Sequence, residues 1–208
     1  MADTYLSTQY NSATGTDWFY VRSGVFSHWF YILVNGESGT NDLGNSYSVQ
    51  GVGIDVAEEL IFEAVFNNCL DNTTSYPEIR TAIIAIAEAT FCEEDPILKS
   101  ITDAWYAVGV GAAFTGTVTT LSGPDDFCTS DTYTVSGLPT GATVAWSANP
   151  SGVTFSGSGS TVTVTRAGTF NGKVTLTATV TGSCGTYDIS KEVQVGTPTP
   201  EITNIYVY

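Results

Sequence analysis

Apolar residues recur every three or four positions through the first half of the chain and at every second position through much of the rest. Phe26, Trp29, Phe30 and Leu33 stand at i, i+3, i+4 and i+7, which predicts an almost wholly buried helix from Val25 to Val34, capped by Ser23 and stopped at Gly36. Asp55 and Glu58 have capping-box spacing and open a second helix running to about Leu70. Its inward stripe is Val56, Leu60, Ile61, Ala64 and Val65, and Glu58, Glu59 and Glu63 face water. Ser75 and Glu78 form another such box, with Pro77 in the tolerated first turn, ahead of Ile79, Ala82, Ile83, Ile86 and Ala87; this third helix ends near Phe91. Asp95-Pro96 starts a fourth, in which Ile97, Ile101, Ala104, Trp105 and Val108 share a face before Gly109 ends it. These segments predict a small all-α helical bundle.

Between the first two helices, the run from Gly39 to Asn45 is dense in turn residues and flanked by Tyr47 and Val49, as in a loop or hairpin. Asn41, Asp42 and Asn45 are hard oxygen donors of the kind calcium takes, but their spacing matches no EF-hand loop, so an ordinary polar turn is the preferred reading. From Thr115 the period becomes two. Strands are predicted at Thr117–Leu121, Thr132–Val135, Thr143–Ser147, Val153–Ser156, Thr161–Arg166, Lys173–Thr181 and Tyr187–Val195, separated by Gly, Pro, Ser and Asn, and this number of short strands suggests an all-β sandwich.

Composition divides the chain at the same place. Up to residue 114 there are 15 Asp and Glu against 3 Lys and Arg, and beyond it 6 against 3. The expected organisation is a helical domain over 1–114, a β-sandwich over 115–196, and a linker or the start of a further domain over 197–208, where Thr197-Pro198-Thr199-Pro200 precedes a β-like run to Tyr208. A formal charge of -15 repels phosphate backbones and anionic lipid, which argues against nucleic-acid and membrane-surface partners. No apolar run approaches the roughly 18 residues that cross a bilayer. Met1 to Tyr5 lack the basic and apolar regions of a signal peptide, and the abrupt ending suggests a trimmed or truncated chain.

Ser23-Gly24-Val25-Phe26-Ser27-His28-Trp29-Phe30-Tyr31-Ile32-Leu33, Gly51-Val52-Gly53-Ile54, the two capped helices, and Asp103-Ala104-Trp105-Tyr106-Ala107-Val108-Gly109-Val110 resemble, in order and spacing, the C-terminal lobe of the thermolysin family of zinc metallopeptidases. The resemblance covers about ninety residues. It implies a lobe that packs against an N-terminal lobe carrying the zinc helix, with the substrate cleft between them. The family also places a catalytic histidine, which stabilises the oxyanion, just before the Asn-Ser-Gly that opens this helix. Aligned without gaps on Ser23-Gly24, Tyr20 falls at that histidine and Arg22 at the asparagine; if the loop has lost residues, Arg22 takes the histidine's place instead. The chain has one histidine and no His-Glu-x-x-His, so it cannot itself supply the two imidazoles of a zinc peptidase site. His28, amid Phe26, Trp29, Phe30 and Tyr31, reads as a packing residue without chemistry.

The second half resembles an immunoglobulin-like or PKD-like module of the kind appended to secreted bacterial enzymes, with Trp146 placed after Cys128 and before Cys184. The tyrosine usual two residues before the second cysteine is replaced by Gly182. Cys128 and Cys184 are candidates for a disulfide, which would fit an oxidising setting, although their positions before the second and after the sixth strand separate them in ordinary immunoglobulin topology; both possibilities stand. Cys69 and Cys92, near opposite ends of a helix pair and roughly 20 Å apart, read as buried thiols.

The leading expectation is a noncatalytic fragment or degenerate relative of a secreted thermolysin-like metallopeptidase, with Tyr20, Arg22 and Ser23 at the substrate cleft, no metal or cofactor of its own, and the N-terminal peptidase lobe as partner. A structural or adhesive cell-surface protein, self-associating or bound to another surface protein, is the alternative. A metal-independent hydrolase using Tyr20 or Arg22 is a third. Exposed apolar area around the first helix separates the first two readings.

Overall fold

The computed structural model describes residues 1–66 and 74–197, which form two compact units dividing between Val118 and Thr119. The predicted end of the second helix near Leu70, Cys69 and the run from 198 to 208 lie outside the described residues.

The first unit holds five helices and a hairpin: α1 (Thr8–Ser12), a 3-10 turn (Gly15–Asp17), α2 (Trp18–Asn35), β1 (Gly36–Thr40), β2 (Ser46–Gln50), α3 (Ile54–Phe66), α4 (Tyr76–Thr90) and α5 (Pro96–Ala107). The helix expected from Val25 begins seven residues earlier, at Trp18. Ser23 therefore lies inside it, its hydroxyl donating to the Tyr20 carbonyl at 3.1 Å rather than capping. Ser-Gly looks like a helix start because both residues are weak helix formers. Here Gly24 serves a different purpose: the N-terminal residues lie across it, with the Ala2 N–H donating to the Val21 carbonyl at 2.9 Å. A methyl on Gly24 would collide with the Ala2 carbonyl and the Met1 side chain. Gly36 ends α2 at φ 76°, its N–H donating to the Ile32 carbonyl.

Nor is α2 wholly buried. Val25, Trp29, Ile32 and Leu33 are inside, Phe26 and Phe30 pack partly against them, and Tyr31 is exposed. The centre of this core is the stack of Trp29 on Trp105 of α5, with ring centroids 4.2 Å apart. The Ser75–Glu78 box forms at α4, where the Glu78 carboxylate accepts the Ser75 N–H at 2.7 Å. Asp95 caps α5, accepting the Ile97 N–H at 2.9 Å. The Asp55–Glu58 box does not form. Gly53, at φ 84°, turns the chain so that α3 starts at Ile54 with the Ala57 N–H on the Gly53 carbonyl, which puts Asp55 inside the first turn.

The turn between β1 and β2 is organised by Asn41. Its side-chain oxygen accepts the N–H groups of Leu43 and Asn45, both at 3.1 Å, and its amide donates to the Ala107 carbonyl at the end of α5 at 3.0 Å. The residue considered as a calcium donor is thus a fastener between hairpin and helix.

The second unit is a sandwich of two four-stranded sheets. Its strands are β3 (Thr120–Ser122), β4 (Asp126–Phe127), β5 (Ser130–Ser136), β6 (Thr143–Asn149), β7 (Val153–Ser158), β8 (Thr161–Arg166), β9 (Gly172–Gly182) and β10 (Gly185–Val195). One sheet runs β3-β5-β8-β7 and the other β4-β10-β9-β6, an order that gives the two sheets of an immunoglobulin-like domain. Alternation fills the interior: Tyr133 and Val135 from β5, Val162 and Val164 from β8, Val174 and Leu176 from β9, and Val193 and Val195 from β10 are all buried. Each predicted strand has a counterpart, although the first begins at Thr120 instead of Thr117. The unpredicted β4 has two residues, too few to show a period, and pairs in parallel with β10 through Asp126↔Gln194 and Phe127↔Val195.

That pairing rules out the Cys128–Cys184 bond. Cys128 directly follows Phe127 beside the end of β10, whereas Cys184 precedes its first residue, Gly185. About 3.3 Å per residue along β10 separates them by some 30 Å, far beyond bonding reach. Cys128 is exposed and free. Cys184 and Cys92 are both disulfide-bonded, so Cys92 is buried as expected but is not a thiol.

Candidate functional site

The residues singled out around Ser23 occupy the first two turns of α2. Helical geometry separates them, since positions i and i+2 face different directions. Tyr20 points outward and is 71% exposed, next to Phe19, which is 64% exposed and stacks on Trp18 at 3.8 Å. Arg22 turns the other way. Its guanidinium lies 4.7 Å from the centre of the Tyr10 ring and 5.3 Å from that of Trp18, a cation–π arrangement. With Ser23 it lines a cleft of about 370 Å³ together with Tyr5, Tyr10, Trp18, Phe19 and the segment Thr74–Tyr76. The structure thus joins Arg22 to Ser23 and leaves Tyr20 outside.

Sequence reasoning does not single out the tyrosines of this cleft. Tyr5 packs edge-on against Tyr10 at 5.1 Å and against Tyr76 at 5.7 Å. The Tyr76 hydroxyl donates to the Arg22 backbone carbonyl at 2.8 Å, tying the start of α4 to α2. Burial raises the hydroxyl pKa values of Tyr10 and Tyr76; the Arg22 charge partly opposes this at Tyr10. No local periodicity announces such a cluster, because its members come from a loop, a five-residue helix and a helix start brought together only by folding.

His28 is half-buried on the same helix. Its Nδ1 lies 3.2 Å from the Asp3 carbonyl and its Nε2 3.5 Å from the Glu37 carboxylate, which also accepts the Tyr47 hydroxyl. Desolvation, followed by the bond to Glu37, pushes the Tyr47 pKa up. The imidazole joins the N-terminal segment, helix and hairpin. Among the described residues no three His, Cys, Asp or Glu side chains converge as metal ligands. The donor set therefore does not fit a zinc centre, and no step through zinc can be assigned to these residues.

Residues 2–110 match the thermolysin metallopeptidase alpha-helical domain. The chain belongs to the thermolysin metallopeptidase family. The matched domain is the helical one and not the catalytic one. The chain is also 30% identical over 125 residues to the transglutaminase-activating metalloprotease of Streptomyces mobaraensis. That match takes in 56% of the chain and 16% of the relative, so the chain spans a small part of the relative's length. Within the matched residues, the exposed aromatic side chains of Phe19 and Tyr20 lie just ahead of Ser23-Gly24. No helix among the described residues is long and apolar enough to cross a membrane.

Proposed function

We propose that the helical unit is a noncatalytic wall of a thermolysin-type substrate cleft, acting opposite a lobe that carries zinc, and that the sandwich is an accessory PKD-like domain of the same secreted peptidase architecture. The observation that carries this reading is the exposed aromatic group at the start of α2. Phe19 and Tyr20 bury less than half of their surface in their own unit, as expected of side chains with a partner to cover them. Tyr20 takes the place of the family's catalytic histidine. A phenol can donate a hydrogen bond to an oxyanion, but it offers no imidazolium charge to stabilise one. The disulfide-bonded Cys92 and Cys184 favour an oxidising, extracellular compartment.

Association is the decisive test. Sedimentation velocity of the chain mixed with the zinc-bearing lobe of a thermolysin-family peptidase should show a one-to-one complex. A fluorogenic peptide assay should find the chain inactive alone, and Tyr20→His should raise the complex's turnover by about tenfold or more, the scale of a restored general acid–base or oxyanion group. A chain that remains monomeric and ignores the lobe would sink this reading in favour of a structural or adhesive surface protein. Zinc-independent cleavage abolished by Tyr20→Phe or Arg22→Gln would instead establish the hydrolase, although Tyr20 is not among the described residues that line the Arg22 cleft.

A further inference from the structure

Arg22 is in an unusual electrostatic position. The chain carries a formal charge of -15, yet no described carboxylate pairs with this guanidinium. The other Lys and Arg side chains of the helical unit each have a polar partner: Lys99 pairs with Asp103, and Arg80, although its Nε is likewise buried without an acceptor among the described residues, donates through its terminal nitrogen to the Ala112 carbonyl at 2.9 Å. The Arg22 Nε is buried and, among the described residues, has no hydrogen-bond partner. Such unsatisfied donors are uncommon in folded proteins, and each one in a concave site calls for an explanation. No described residue accepts a hydrogen bond from the rest of the guanidinium either, and it lines an open cleft.

The walls of that cleft specify the ligand further. Tyr5, Tyr10, Trp18 and Tyr76 give it aromatic faces, and its volume of about 370 Å³ falls at the small end of the ligand-pocket range. The neighbouring polar groups offer little competition for an anion. The Ser23 hydroxyl is bonded to the Tyr20 carbonyl, and the Ser75 hydroxyl donates to Glu78. The Tyr10 phenol, protonated at neutral pH, is a second donor. The overall negative charge disfavours a dianion such as phosphate. A planar monoanion matches the guanidinium fork.

We infer that the cleft binds an aromatic carboxylate, such as the C-terminal residue of a peptide ending in Phe, with the carboxylate on Arg22 and the ring among Tyr5, Tyr10, Trp18 and Tyr76. The site is built entirely within the helical unit, so it does not depend on pairing with a zinc-bearing lobe.

Calorimetric titration of the chain alone with N-acetylphenylalanine, N-acetylphenylalaninamide and inorganic phosphate tests this. The acid should bind at millimolar or lower concentration, and the amide and phosphate about tenfold or more weakly. Arg22→Gln should bring the acid down to the level of the amide, with Arg22→Lys between the two. Equal binding of acid and amide, phosphate binding as tight as the acid, undiminished binding by Arg22→Gln, or no binding by the acid would each overturn the inference. The comparison among ligands on the unaltered chain stands even if a variant misfolds. A failed titration leaves the association test of the previous section untouched.

Discussion

The two units treat their tryptophans differently. In the helical unit, Trp29 and Trp105 are fully buried and stacked, and neither indole N–H has an acceptor among the described residues. In the sandwich, Trp146 is only half-buried at an edge strand, and its N–H donates to the Gly159 carbonyl at 2.9 Å. The contrast follows from backbone accounting. Helices spend their carbonyls on their own N–H groups, so a core between helices has few acceptors to spare. A strand connection such as the β7–β8 turn leaves carbonyls outside the ladder, where a neighbouring side chain can reach them. The bundle holds its indoles by packing area alone, whereas the sandwich combines packing with polar satisfaction.

Three substitutions would sharpen or break this contrast. Trp105→Ala should have the largest effect, about 3–5 kcal/mol, because it removes the partner of Trp29 and leaves a cavity among fully buried groups. Urea unfolding followed by far-ultraviolet dichroism should lose the helical signal early while the β signal persists. Common collapse of both signals would show that the units do not unfold independently. Gly24→Ala should come next, at about 1–3 kcal/mol, since the added methyl must displace the Met1–Ala2 segment from α2; faster amide exchange at Ala2 would register the displacement.

Tyr133→Phe should be the smallest, at about 1 kcal/mol for the loss of its hydrogen bond to the Pro124 carbonyl at 2.9 Å. Desolvation, reinforced by Asp131, Asp125 and Asp126, pushes the Tyr133 pKa from 10.0 up to about 12. The folded state thus holds this proton more tightly. The associated stability is whole below about pH 10 and is lost as pH rises through about 12. Alkaline melts of the sandwich should therefore fall less steeply for the Tyr133→Phe variant than for the unaltered chain, and parallel curves would contradict this origin.

Features written into short sequence windows are the legible ones. The Ser75–Glu78 box, the Asp95-Pro96 start, the Gly36 stop and the alternation of the strands each need only a few neighbouring residues. Features that depend on a distant partner stay hidden. The start of α2 cannot be placed locally because the role of Gly24 depends on the segment of Met1 and Ala2, some twenty residues away in sequence. The Cys128–Cys184 option is settled only by the register of β4 against β10. At the candidate site, Arg22 is visible in the sequence as a residue out of place, but its aromatic surroundings are not, since Tyr10 and Tyr76 lie on separate helices.

The parallel pairing of β4 with β10 also has a mechanical consequence. The chain enters β4 at one end and leaves β10 at the opposite end of the same paired ribbon, so tension along the polypeptide pulls the two strands past each other along their length. The bonds from Gln194 N–H to the Asp125 carbonyl and from Gly196 N–H to the Phe127 carbonyl, both 2.9 Å, are then strained together instead of opening in succession. A clasp loaded in shear shares the load between its bonds, so β4 contributes to holding the end of β10 although it is only two residues long.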